Sequence, residues 1–392
     1  MHSLIKQIFP YYQNIRRQIH ANPELRYEEY KTAYLVAKEL EKLGLPVQTN
    51  IGKTGVVALL DSGNPGKTIA LRADMDALPI HEETGLPYQS KNAGIMHACG
   101  HDGHTATLLA VAHILTKMKS SLSGKVKFVF QPAEEGGAGA KAMIDDGVLM
   151  NPEVDAIFAY HNHPGSPLGT VLVRNGCTLN GNCGFDICVR GKGGHAAQPE
   201  KVINPNIALA KIICELEPYC VSLSQESEPS ILAISQLSSG TIRNVIPDIA
   251  TISGTIRVPS LEKLDEIKHR LQQVLQLVAK QTQTSIKIDF TQMCPPTINS
   301  TVETQYVMNH AKLLFGENRV QIKPKPARAS EDFSYFLQKV PGCYFFVGNG
   351  DSHFCHNSHY DFNDEVMFTA VHLLATLALG FVKIVAKTRQ HC

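Results

Sequence analysis

The sequence predicts an α/β domain built on a mostly parallel central sheet, with an inserted ferredoxin-like α+β domain. Three observations lead there. Strands alternate with helices as far as about Gly184, the signature of a parallel sheet. From Gly184 the order changes to β-α-β-β-α-β, the ferredoxin-like arrangement. The last stretch offers one strand and two helices, which cannot bury their own faces and so belong with the first part. A chain of 392 residues also suits two domains better than one core. The expected boundaries are 1–183 with 299–392 for the larger domain and 184–298 for the insert.

Apolar residues recur at helical spacing from about Tyr27 to Leu43 and stop at Gly44, which predicts an amphipathic helix. Short β-rich runs follow at Gly55–Leu60 and Thr68–Leu71. A helix is expected to start near Gly103, then a strand at Val126–Phe130, a turn at Pro132–Gly137, a helix at Ala138–Asp146 and a strand at Ala156–Tyr160. In the insert the expected elements are strand Phe185–Val189, helix Asn206–Leu216, strands Ser230–Leu237 and Ala250–Val258, helix Leu261–Gln281 and strand Ser285–Phe290. The final part should contain helix Glu331–Leu337, strand Cys343–Val347 and a closing helix from about Asn363 to Val385. No internal repeat or low-complexity tract interrupts this order.

Composition excludes several classes. Hydrophobic residues at 43% and charged residues at 19% are ordinary globular values, against disorder or a coiled coil. A formal net charge of +1 gives no reason to expect a nucleic-acid or membrane partner. Ten cysteines without regular spacing do not form the dense framework of a small secreted domain, so a reducing compartment is the simpler expectation. The first twenty residues are interrupted by Lys6, Arg16 and Arg17 and lack the apolar core of a signal peptide. The apolar run near Leu373–Val382 is too short to span a membrane. These points predict a cytoplasmic protein.

Residues that carry chemistry gather where strands end, and ligands of open α/β sheets bind there. HACGHDGHT puts Cys99, His101 and His104 within six positions at a helix entrance. Thiolate and imidazole are preferred donors for zinc and similar ions, although a buried cysteine beside helix-capping residues would look the same in isolation. QPAEEGG places Glu134 beside Glu135 after the next strand. Two adjacent carboxylates repel by around a kcal/mol unless cations intervene. A solvated acidic turn is the plain alternative, and the chemical one divides metal binding from proton abstraction between the pair. IFAYHNHP then brings His161 and His163 to another strand end. HFCHNSHYDFND adds His353, His356 and His359, among which spacing alone does not choose. LRADMDALP supplies Asp74 and Asp76, suited either to orienting a metal-bound histidine or to an ordinary turn.

Together with HANPEL at 20–25, GKGGHAAQP at 191–199, NVIPD at 244–248 and SEDFSYF at 330–336, these motifs resemble those of a known group. The chain is similar over essentially its whole length to the hippurate hydrolase, N-acyl-amino-acid amidohydrolase and auxin-conjugate hydrolase family of co-catalytic metallo-aminoacylases. That resemblance implies a metallo-aminopeptidase-like catalytic domain with an inserted lid or dimerisation domain. It makes Cys99, His101, Glu135, His161 and His356 ligands of two divalent ions per subunit, with zinc, manganese, cobalt and nickel all suited to such donors. Glu134 matches the general base. Asp76 matches an aspartate that elsewhere supports a metal-bound histidine two positions earlier; here that position is Asp74. His195 matches a small-domain histidine that reaches the substrate, in its own subunit's site or the partner's, and Asn244 matches a substrate-binding position. Two departures stand out: Ser358 replaces an expected proline, and Ala329 precedes SEDF where a Met-Gly pair is usual. Neither is a ligand.

The activity implied is hydrolysis of an N-acyl amino acid to a carboxylate and a free amino acid by a homodimer or higher homo-oligomer, without nucleic-acid or membrane partners. Glu134 would take a proton from water and return it to the leaving amine, with His195 as an oxyanion donor and no covalent nucleophile. A dipeptidase or carboxypeptidase would use the same metal site and differ in its pocket. A non-catalytic binding protein on this fold would be expected to have lost Glu134 or a ligand, and none is lost.

Overall fold

The computed structural model describes residues 1–381. Two compact units emerge: Met1–Thr178 with Ile298–Pro324 and Asp332–Cys392, and Leu179–Thr297 with Lys325–Glu331. The return of the short segment Lys325–Glu331 to the second unit has no signal in the sequence.

The first unit is built on an eight-stranded sheet. Its strands are β1 (Val47–Ile51), β2 (Gly55–Asp61), β3 (Thr68–Asp74), β4 (Lys125–Gln131), β5 (Ala156–Pro164), β6 (Val171–Val173), Val320–Ile322 and Gly342–Gly350. Across the sheet the order is β1, β2, β4, β3, β5, Gly342–Gly350, β6, Val320–Ile322. The central four, from β4 to Gly342–Gly350, pair in parallel, while β1 and β2 add antiparallel at one edge. Every residue of β3 is buried, as expected of a strand covered on both faces.

Helix α1 (His2–His20) arises from the segment read above only for its lack of a signal-type core. Ile5, Ile8, Tyr12, Ile15 and Ile19 recur every three or four residues and are all buried, and Pro10 falls on the exposed side. Helix α2 (Tyr30–Lys42) follows, then α3 (His101–Lys117) and α4 (Gly139–Asp145). Almost all of α3 is buried, since it packs against α1, β3 and the helix Glu365–Phe381. A further helix, Thr301–Phe315, was not anticipated, and the expected helix at 331–337 shortens to Ser334–Leu337. The closing helix runs over Glu365–Phe381; the rest of its expected span lies outside the described residues. Among the described residues no helix is long and apolar enough to cross a membrane.

The second unit contains α5 (Pro205–Ser224) and α6 (Leu261–Thr282) over four antiparallel strands in the order Ile231–Ser239, Ile249–Val258, Gly181–Arg190, Ser285–Cys294. This is the ferredoxin-like topology, closed over its own core of Phe185, Ile187, Ile212, Leu216, Ile252, Leu271 and their neighbours.

The end of α1 anchors the start of α3 through buried charge. Arg16 contacts Asp102 at 3.3 Å, Asp361 at 3.0 Å and Asp364 at 2.8 Å. His20, the first residue of HANPEL, sits 2.8 Å from Asp102 Oδ2 through Nδ1 and 3.2 Å from Glu82 Oε1 through Nε2. Burial opposes the charge on His20, but Asp102 and Glu82 prevail and push its pKa up to about 9. A raised value means that the protonated form favours the fold. Its stabilisation, about 3 kcal/mol, is fully present below the unfolded pKa of about 6.5 and is lost as pH rises through 9. Melting curves of wild type and His20→Gln should therefore converge between pH 6.5 and 9, and a gap that stays constant across that range contradicts the assignment.

Candidate metal centre

Because the central strands are parallel, their carboxyl ends bring four chain segments to one place. β3 ends at Asp74, β4 runs into the Pro132–Gly137 turn, β5 carries His161, and Gly342–Gly350 leads to the His353–His359 loop. The fifth segment, His97–Gly100, enters α3, whose first residue is His101. Gly100 has φ +90°, and a Cβ there would come within 2.4 Å of Asn162 Oδ1 and 2.6 Å of the Tyr360 hydroxyl. Only glycine lets the chain turn between Cys99 and His101. Ala133, before the glutamate pair, and His356 adopt left-handed conformations at φ 53° and 68°, the kind of local strain that gathers at functional sites. The His356 loop is pinned by a 2.7 Å hydrogen bond from its N–H to the Ala98 carbonyl.

Donor atoms of Cys99, His101 and His161 lie within 4.8 Å of one another, and so do those of Cys99, Glu135 and His356. Cys99 belongs to both groups. A third group joins His101 to Glu134 and Glu135. His161 Nδ1 hydrogen-bonds the Asn162 carbonyl at 2.7 Å, which leaves Nε2 directed at Cys99 Sγ, 3.4 Å away. Burial, with His104 and His101 nearby, holds the His161 pKa well below its usual value, so the ring is neutral, the form that binds metals. Both ring nitrogens of His101 are buried without a hydrogen bond; Nδ1 is 3.3 Å from Asp76 Oδ1 but outside hydrogen-bonding geometry. Burial disfavours its charge, yet Asp74, Asp76 and Glu135 raise it to about 10. Half-exposed His356 places Nε2 3.1 Å from Glu135 Oε1. The neighbouring Cys355 thiol, burial, and the carboxylates of Glu135 and Glu134 push the Cys99 thiol well up.

Asp76 is fully buried and accepts the backbone N–H groups of Glu134 at 3.0 Å and Glu135 at 2.9 Å. It therefore clamps the glutamate turn as well as facing His101. Asp74 instead bonds His104 Nδ1 at 2.6 Å and Arg72 at 2.7 Å. His353 and His359 face one another as tilted rings with centroids 5.5 Å apart, and neither joins the donor groups that take His356. Ser358 uses its hydroxyl on Glu83, a bond that proline cannot make. His163 contacts Ser166 and Lys323 rather than the donor cluster.

The model of peptidase family M20/M25/M40 matches residues 70–380. The hippurate hydrolase of Campylobacter jejuni is 38% identical over 95% of this chain and 97% of its own length. N-acetyl-L-cysteine deacetylase of Bacillus subtilis is 37% identical over 92% and 85%. Among solved structures, the YXEP protein of Bacillus subtilis, described as a dinuclear metal-binding peptidase of the M20 family, superposes with a TM-score of 0.84 at 31% identity, covering 95% of this chain and 98% of that one. The chain belongs to peptidase family M20/M25/M40. It is a metal-dependent amidohydrolase.

The donors of this M20 member fit a pair of metal ions. His101 ring nitrogens and a Glu135 oxygen buried without hydrogen bonds, and a thiol among carboxylates, are donors that a divalent ion would satisfy, taking the place of the proton that the surrounding carboxylates favour on His101. When bound, divalent ions would supply Lewis acidity toward a carbonyl and acidify water. Two further expected residues, His195 and Asn244, lie in the second unit. There Gly194–His195 pairs with Val245–Ile246, and the Ala196 N–H donates to the Asn244 carbonyl at 3.0 Å, so the two exposed residues become neighbours. The sequence reading left out Arg72, Asn162, Tyr360 and Cys355, which surround the M20 donors; the only available signal was their position beside them in the motifs.

Proposed function

We propose that this protein hydrolyses N-acyl amino acids to a carboxylate and a free amino acid, with Cys99, His101, Glu135, His161 and His356 as ligands of two divalent ions and Glu134 as general base. The observation that carries this reading is the pair of donor groups sharing Cys99, with Glu134 held next to Glu135 by the Asp76 clamp. Glu134 accepts the proton of the attacking water and delivers it to the leaving amine. Asp76 acts through the glutamate backbone. His195 donates to the developing oxyanion, with Asn244 beside it binding substrate, and the second unit serves as lid and dimer contact. The names of the hippurate hydrolase and N-acetyl-L-cysteine deacetylase relatives support the substrate class. A reducing cytoplasm suits the nine described cysteines, all free thiols.

The test is a panel of N-acetyl, N-benzoyl and indole-acyl amino acids beside dipeptides and longer peptides, each with zinc, manganese, cobalt or nickel. The highest kcat/KM should fall on an N-acyl amino acid, and a preference for peptides overturns the substrate assignment. In the same assay His195→Ala should lower kcat about 10²-fold, the usual size of losing an oxyanion donor, at unchanged metal content. Mixing it with Glu134→Gln should regain activity if the histidine crosses between subunits of a dimer.

A further inference from the structure

Beneath the donor cluster runs a chain of buried hydrogen bonds to which no role has been attached. His104 lies one turn after His101 on α3 and is 1% exposed. Its donor atom also falls within 4.8 Å of those of Asp74 and His101, as a metal ligand's would. Both ring nitrogens are already engaged, however: Nδ1 with Asp74 Oδ1 at 2.6 Å and Nε2 with Asn162 Oδ1 at 2.8 Å. Nε2 also takes the Asn162 backbone N–H at 3.3 Å, so a metal at either nitrogen would have to displace a protein partner. Each partner is fixed from its other side. Asp74 Oδ2 takes Arg72 at 2.7 Å, and the Thr105 hydroxyl donates to the Asp74 carbonyl at 2.7 Å. Arg72 is held in turn by Gln131 at 2.7 Å and Asp332 at 3.2 Å. Asn162 donates from Nδ2 to the Tyr360 hydroxyl at 2.7 Å, so its side chain is held at both ends.

The chain ends on the metal centre. Asn162 presents its carbonyl to His161 Nδ1 at 2.7 Å, and that bond turns Nε2 toward Cys99. The His104 ring also lies edge-on to the His161 ring, with centroids 4.5 Å apart at 66°. Burying so many polar groups costs desolvation that only their mutual hydrogen bonds offset. Those bonds pass from β3 through α3 to β5 and stop at the residue carrying a ligand's partner carbonyl.

We propose that His104 is a positioning residue: clamped between Asp74 and Asn162, it fixes the Asn162 peptide and so aims the coordinating nitrogen of His161. Through Asn162, Gly100 and Tyr360 the same clamp sets the spacing between the Cys99 turn and the His356 loop. His104 itself touches neither metal nor substrate. The inference rests on the metal-centre reading above but not on the identity of the substrate.

The experiment uses the full chain with cobalt as the probe, since its visible spectrum reports ligand geometry. His104→Phe keeps the ring and removes both bonds; His104→Gln keeps a donor and an acceptor. Thr107→Val is the control, because Thr107 lies on the same helix as His104 and its buried bond goes to Tyr160 of β5, not to a donor residue. Competition with a chelator should show His104→Phe binding cobalt roughly 10- to 100-fold more weakly, as for loss of an outer-shell partner, with an altered cobalt spectrum. His104→Gln should recover part of both, and Thr107→Val should match wild type. Asn162→Ala should weaken binding similarly, and the double variant no further, since both break one chain. Should His104→Phe fail to fold, the Asn162→Ala and His104→Gln results carry the comparison. Wild-type affinity and spectrum in these variants, or equal weakening in Thr107→Val, overturn the proposal. Wild-type protein that takes up no cobalt overturns the metal centre as well.

Discussion

Glu134→Gln should keep both metals and lose turnover, by roughly 10²- to 10⁴-fold in kcat with KM little changed. The amide cannot accept a proton from water, and it replaces a side chain outside the two donor groups that share Cys99. Glu135→Gln should do the opposite, releasing metal, because Glu135 carries the oxygen 3.1 Å from His356 Nε2 in the second of those groups. The Asp76 clamp makes the comparison clean: it grips both backbone N–H groups, so neither substitution should move the turn. Elemental analysis beside steady-state kinetics decides the matter, and equal metal loss in the two variants contradicts the division of labour.

Cys99→Ala should abolish activity together with metal binding, since it removes the donor common to both groups. Affinity should fall by more than the roughly 100-fold typical of losing an outer-shell partner. Substitution of Cys214, an exposed free thiol in the second unit, should leave metal content and turnover unchanged. Chelation of the wild type should give the same inactive state, and adding back a divalent ion should restore it. Full turnover after chelation, or in Cys99→Ala, is incompatible with a metal-dependent hydrolase.

Much of the scaffold was legible from local pattern. Alternating strands and helices gave the parallel sheet, and the β-α-β-β-α-β order gave the second unit's topology, because periodicity records which face of an element is buried. Helix α1 was equally periodic, with Ile5, Ile8, Tyr12, Ile15 and Ile19 in register, but the segment was read only for a targeting signal. Helix Thr301–Phe315 has four residues in its buried set, so its pattern is faint.

The donor types and their places at strand ends were determined by the sequence itself: a thiol, imidazoles and carboxylates in short motifs, each following a readable strand. Which of them meet was decided only by tertiary structure. Spacing could not separate His356 from His353 and His359, because the choice depends on a backbone bond to Ala98, hundreds of positions away in the chain. Nor could it show that His104, as good a donor as His101, has spent both nitrogens on Asp74 and Asn162. Asp76 read as a partner for histidine and proved also to be a clamp on two peptide groups. A side chain's chemistry is local and travels with its name, whereas the direction of its lone pair is fixed by partners that only folding brings within 3 Å.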